Sequence, residues 1–209
     1  MAEEEESARV IRQLRTFLGP RPPAPVEERC EFCGKPLAAE HSHVVHIERR
    51  NLLCTCRPCY LLFSSQGAAG GKVKAVPDRV VDLGQDVFTA AQWDRLQVPV
   101  GLAFFFYNSS LGKTVAFYPS PAGATESLLP LETWEEVVRE HPGLADLSDD
   151  VEALLVWNSA EGSACLIAPI DACYELVGIV RRQWRGFHGG EEAWQAISVF
   201  FTALRARSR

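Results

Sequence analysis

Residues 30–59, CEFCGKPLAAEHSHVVHIERRNLLCTCRPC, hold five of the chain's seven cysteines and three of its five histidines. Two C-x-x-C pairs, Cys30/Cys33 and Cys56/Cys59, stand 22 residues apart, slightly more than is usual in structural zinc sites of this pattern. Each pair closes a tight turn that can aim two thiolates at one ion about 2.3 Å away. The reading preferred is a four-cysteine centre holding one zinc per chain, with iron as the second choice of metal. Metal-free thiols and a redox-active disulfide compete with it, and the reducing cytosol weighs against the disulfide. Cys54, His41 and His43 are the substitutes in the ligand set, because Cys54 sits two residues before Cys56 and the imidazoles lie in the intervening segment. His46 is the weaker candidate. The apolar continuation Tyr60-Leu61-Leu62-Phe63 puts Cys59 in the first turn of a helix, where unpaired N–H groups favour a thiolate.

Working outward from this module, which spans 26–65, the N-terminal side opens on MAEEEESARV, with no basic start or apolar run of a secretory signal. That predicts a cytoplasmic protein. Val10, Leu14, Phe17 and Leu18 share one stripe of a short amphipathic helix, which Gly19-Pro20 must stop. Residues 20–25 carry four prolines and predict an extended spacer, so 1–25 form a helix and linker. On the C-terminal side, Ser64-Ser65-Gln66-Gly67-Ala68-Ala69-Gly70-Gly71 reads as a flexible loop that uncouples the module from a main domain at 72–209.

That domain alternates strand and helix patterns. Aromatic and β-branched runs at 100–107 and 114–118 flank Asn108-Ser109-Ser110-Leu111-Gly112, and runs at 151–157 and 164–168 flank Asn158-Ser159-Ala160-Glu161-Gly162, which predicts two hairpins. The turns are offset by 50 residues, as are Pro119 and Pro169; an internal duplication would produce this, and so would the ordinary turn preference of asparagine, serine and glycine. Thr89 and Gln92 have the spacing of a capping box that starts a helix with Trp93 and Leu96 inward. Three more helical faces follow from periodicity: Trp134, Val137, Val138, His141; Cys173, Leu176, Val177, Val180, Trp184; and Trp194, Ile197, Phe201, Leu204. The expected class is α+β, a small zinc module followed by a mostly antiparallel sheet with amphipathic helices.

A net charge of −6 disfavours nucleic acid and anionic membranes as partners, and no stretch reaches the roughly 18 apolar residues of a membrane span. Charge is uneven: residues 120–161 hold ten acids against Arg139, and 181–209 hold six arginines against Glu191 and Glu192, as two solvated faces or a docking face would. Cys165 and Cys173 read as core thiols. Asp171 and Glu175 near a helix start are explained by the helix dipole. Arg185, Phe187 and His188 lie in a glycine-rich turn and are the candidate partner-docking residues.

"CEFCG … EHSHVVHIERRNLLCTCRPCY" resembles the treble-clef frame of HNH endonucleases, which implies structural zinc at the two cysteine pairs and a general-base histidine between them. Tyr60 departs from that family's pattern, and five acids balance five bases over 26–60, so electrostatics supply little DNA affinity. Cys33-Gly34 resembles a rubredoxin knuckle, which implies iron and electron transfer, but Tyr60 stands where a second glycine is wanted. Over nearly the whole chain, the order of "HSHVVHIERRNLLCTCRPCYLLF", "PDRV" and "CYELVGIVRRQWRGFHGGEEAWQAISVFF" resembles an uncharacterised actinobacterial family encoded beside accessory genes of [NiFe]-hydrogenases. That resemblance implies an accessory or maturation role with no assigned activity, and joined to the cysteine module it leads to the expectation of a non-catalytic, zinc-binding accessory protein whose partner is a hydrogenase subunit or maturation factor. The alternatives are an HNH-like nuclease and a rubredoxin-like iron carrier.

Overall fold

The computed structural model describes residues 27–65, 67–85, 87–96, 98, 101–127, 131–160, 162–186 and 188–208. The expected N-terminal helix and proline spacer, and Phe187, lie outside them.

The hydrophobic runs LAFFFYN and EALLVWNS lack the alternation of a half-exposed strand, and both become strands buried on two faces. They are β5 (Leu102–Asn108) and β8 (Glu152–Ser159), adjacent and antiparallel at the centre of a six-stranded sheet. Outward lie β6 (Lys113–Ser120) and β7 (Gly123–Ser127) on one side, β9 (Gly162–Pro169) and β4 (Val81–Asp82) on the other, every pairing antiparallel. Even-numbered residues of β5 (Leu102, Phe104, Phe106) point into one core and odd-numbered ones (Ala103, Phe105) into a second. α2 (Ala90–Leu96) and α3 (Leu131–Glu140) cover the second face, with Leu96, Trp134 and Val137 in its core. α4 (Ile170–Gln183) and α5 (Glu191–Ala206) cover the first through Leu176, Val180, Ile197 and Phe201. The α+β expectation holds, and the capping box is formed: Thr89 N–H donates to Gln92 Oε1 at 2.8 Å, and Gln92 N–H to Thr89 Oγ1 at 3.2 Å.

The two hairpin turns share this sheet but not a geometry. The first leaves four residues beyond the Asn108–Lys113 pair, the second two beyond Ser159–Gly162. With Leu102 opposite Trp157, they lie at opposite ends of the sheet. The 50-residue offset also pairs Phe104 of one core with Leu154 of the other. A twofold axis exchanging β5 and β8 would keep equivalent residues on one face, so the shared letters record turn chemistry.

The N-terminal module is a second, three-stranded sheet in the order β2-β1-β3, formed by β1 (Ser42–His46), β2 (Asn51–Thr55) and β3 (Val73–Ala75), and followed after β2 by α1 (Arg57–Leu62). β3 lies beyond the glycine-rich stretch yet pairs with β1, Val44 opposite Ala75. Val45 and Val76 belong to the same core as Phe104 and Leu176, and Leu52 packs against it. The module is therefore docked on the main sheet, where the sequence suggested an uncoupled unit: the glycines bend the chain back so that β3 can join β1, and apolar contacts do the rest.

Candidate metal centre

The two cysteine pairs reach one point from different kinds of local structure. Cys30–Cys33 is a knuckle: Gly34 N–H donates to the Cys30 carbonyl at 2.8 Å, and Cys30 N–H to the Lys35 carbonyl at 2.9 Å. Gly34 has φ +72°, a left-handed conformation that glycine adopts without strain. Cys56–Cys59 is a helix start: Cys56 is the N-cap of α1, proline occupies its first turn, and Tyr60 N–H donates to the Cys56 carbonyl at 2.9 Å. The β1–β2 hairpin folds the second pair back onto the first.

All four Sγ atoms lie within 4.8 Å of one another. Cys33 Sγ and Cys56 Sγ are 3.6 Å apart, against about 3.8 Å for sulfurs sharing a tetrahedral ion at 2.3 Å. Cys30, Cys56 and Cys59 are buried and Leu37 packs on them, while Cys33 is exposed. Burial pushes the Cys30 thiol up, but backbone hydrogen bonds from Cys56, Cys33 and Phe32 outweigh it and lower it to about 6. Hydrogen bonding with Cys56 pushes the Cys59 thiol up to about 12. For Cys33 a backbone hydrogen bond from Lys35 lowers the thiol, but the Cys30 and Cys56 side chains outweigh it, and the net direction is up. The cluster joins the lowered Cys30 to the raised Cys33 and Cys59, with Cys56 beside them, and such a set can hold a metal ion through four sulfurs.

The substitutes do not enter this set. His41, His43 and Cys54 form a separate group, their donor atoms also within 4.8 Å of one another. His46 belongs to neither; its Nδ1 accepts from Arg49 N–H at 3.3 Å. His43 Nδ1 lies 2.9 Å from Asp171 Oδ2, across 128 residues of chain. Asp171 also accepts from Ala172 N–H at 2.8 Å, so it serves the helix start as expected and the imidazole as well. No signal in one sequence could have joined the two. Cys54 is held by Glu31, whose Oε1 accepts its N–H at 2.9 Å and whose own N–H donates to the Cys54 carbonyl at 3.0 Å. Burial, then the charges of Glu28 and Glu31, push the Cys54 thiol up.

Elsewhere, Cys165 and Cys173 are core residues as expected. Arg185 and His188 are exposed on a turn tied by its own bonds: Arg185 N–H donates to the Gly189 carbonyl at 2.9 Å, and Trp194 Nε1–H to the His188 carbonyl at 2.8 Å. No helix among the described residues is long and apolar enough to cross a membrane.

Knuckle, hairpin and helix start thus define a class, a cysteine-rich module able to hold a metal ion, docked on an antiparallel sheet domain. The chain belongs to a family of unknown function, DUF5947, whose pattern it matches over residues 29–208. No curated protein and no solved structure matches it.

Proposed function

We propose that the four cysteines hold zinc in a structural centre and that the protein is a non-catalytic accessory factor acting by binding another protein. Four protein thiolates complete a tetrahedral shell and leave no position for substrate, so the ion's contribution is to folding. The observation that carries the binding role is what the centre displays. Leu61 and Leu62 on α1 are 53% and 70% exposed, and Phe32, in the knuckle, is 42% exposed with its ring 4.6 Å from that of Phe63. Large apolar side chains held outward by a rigid module suit a protein partner. The resemblance to a family encoded beside hydrogenase accessory genes supports a hydrogenase subunit or maturation factor as that partner and the cytoplasm as the setting. The even charge of the module supports neither nucleic acid nor a nuclease role.

The test is affinity isolation of the tagged chain from its own host, beside a Leu61→Asp/Leu62→Asp variant. The wild type should retain hydrogenase subunits or maturation factors, and the variant should lose them while keeping its four-cysteine zinc. Equal retention by both forms, or recovery of no such protein, would overturn the reading.

A further inference from the structure

Three donors converge beside the cysteine centre from two stretches of the chain, His41 and His43 from the start of β1 and Cys54 from β2. His43 and Cys54 are directly opposed across β1 and β2, so their side chains leave the hairpin on one face. His41 precedes β1, and its ring lies 4.6 Å from that of His43. Its side chain is 8% exposed. The Nδ1 atom is engaged with the Ala38 carbonyl at 3.0 Å, which fixes the proton there and makes Nε2 the acceptor. That Nε2 is buried and has no hydrogen-bond partner. A buried acceptor without a partner is unfavourable, and a bound cation would remove that cost.

His43 is arranged in the same sense. Asp171, in the first turn of α4, accepts a hydrogen bond from His43 Nδ1–H and leaves Nε2 as the donor atom to a metal, the carboxylate–histidine pairing found behind many metal ligands. Glu28, with Oε2 3.6 Å from His41 Nδ1, and Glu31 beside Cys54 add negative charge around the cluster.

We propose that His41, His43 and Cys54 form a second metal site, distinct from the four-cysteine centre, which takes a zinc-class divalent ion through three protein donors and leaves its remaining position open to water or an exogenous ligand. Bonds of about 2.0–2.3 Å require donors about 3.4–3.8 Å apart, so the donor atoms, within 4.8 Å of one another now, have to draw in by about 1 Å to share an ion. Two imidazoles and one thiolate suit zinc, cobalt(II) and nickel(II) and disfavour calcium and magnesium. Asp171 is a positioning residue, and it makes occupancy of the module's site sensitive to how α4 is seated. This inference does not rest on the protein-binding role.

Full-length protein is titrated with cobalt(II) under reducing, anaerobic conditions, with metal counted after desalting. Two ions per chain are expected, one with the charge-transfer band of four thiolates and one with the weaker band of a single thiolate. Cys54→Ser and His41→Ala should each retain one ion and the unchanged four-thiolate band, which also reports that the variant is folded. Asp171→Asn should keep both bands at saturation but weaken the second by about 10–100-fold, and Asp171→Glu should restore most of that loss. One ion per chain in the wild type would overturn the proposal. So would two ions in Cys54→Ser, or a changed four-thiolate band in that variant, which would make Cys54 a ligand of the first centre.

Discussion

Metal uptake by the four cysteines has to displace protons, and the thiols differ in how many remain to be lost. At neutral pH Cys30, lowered to about 6, is already a thiolate, whereas Cys59, at about 12, and Cys33, also raised, are protonated. Loading therefore releases at least two protons, so apparent affinity rises with pH and falls with acid. A competition titration against a chromogenic chelator should show a loss of about 100-fold or more from pH 8 to pH 7; a flat profile would mean that the thiols are not the ligands. Backbone demands separate two glycines. Gly34 needs only its left-handed φ, and a Cβ there meets open space, but at Gly101, φ +64°, a Cβ would run into the Asn158 carbonyl oxygen. Gly34→Ala should cost roughly 1 kcal/mol and Gly101→Ala several times more, read as the shift in urea midpoint. The four-cysteine cluster was legible because two C-x-x-C pairs at this spacing are the pattern of a metal-binding module. Asp171 was not, since the carboxylate that orients His43 arrives from a helix 128 residues away. His41, His43 and Cys54 read from the sequence as substitutes in one ligand set, because spacing alone cannot tell that His43 and Cys54 leave their hairpin together and group apart from the four cysteines.

Among the elements, β8 begins on a residue that a buried strand ordinarily excludes. Glu152 is 2% exposed and is matched by Arg79, from the segment between β3 and β4, with Nε–Oε1 at 2.8 Å and Nη2–Oε2 at 3.1 Å; Ser148 N–H adds a bond of 3.0 Å. Arg79→Ala should destabilise the protein by about 3 kcal/mol because it strands a buried carboxylate, while Arg79→Ala/Glu152→Met should recover much of that loss. Equal unfolding midpoints for wild type and the single variant would show that water reaches Glu152 freely. Periodicity located α3 to α5, the capping box α2, and residue pattern the β5–β6 and β8–β9 hairpins, but not β7, which forms a third hairpin with β6. It could not locate β3, three residues beyond a glycine-rich stretch, whose partner strand is set by where the chain turns back. Nor could it tell a repeated turn from a repeated unit; which face Phe104 and Leu154 occupy decides that, and the two faces of this sheet are both apolar.

The molecule couples its two parts at a contact where the sequence suggested an uncoupling loop. Tyr60 Oη donates to the Val76 carbonyl at 2.9 Å, Lys74 Nζ to the Asp149 carbonyl at 2.6 Å, and Val45 shares a core with α4. Removing metal should therefore expose cleavage sites through 27–65 first, and leave the face formed by α2 and α3, whose core holds no described residue of the module, protected. Limited proteolysis with and without chelator checks the order; simultaneous loss of both regions would make the metal a determinant of the whole fold. The four-sulfur centre itself is tested most directly by X-ray absorption on metal-loaded Cys54→Ser protein, in which the neighbouring histidine cluster lacks its thiol. Four sulfur scatterers at about 2.3 Å around zinc are the expected result, and nitrogen or oxygen in that shell, or an absence of bound metal, would contradict it.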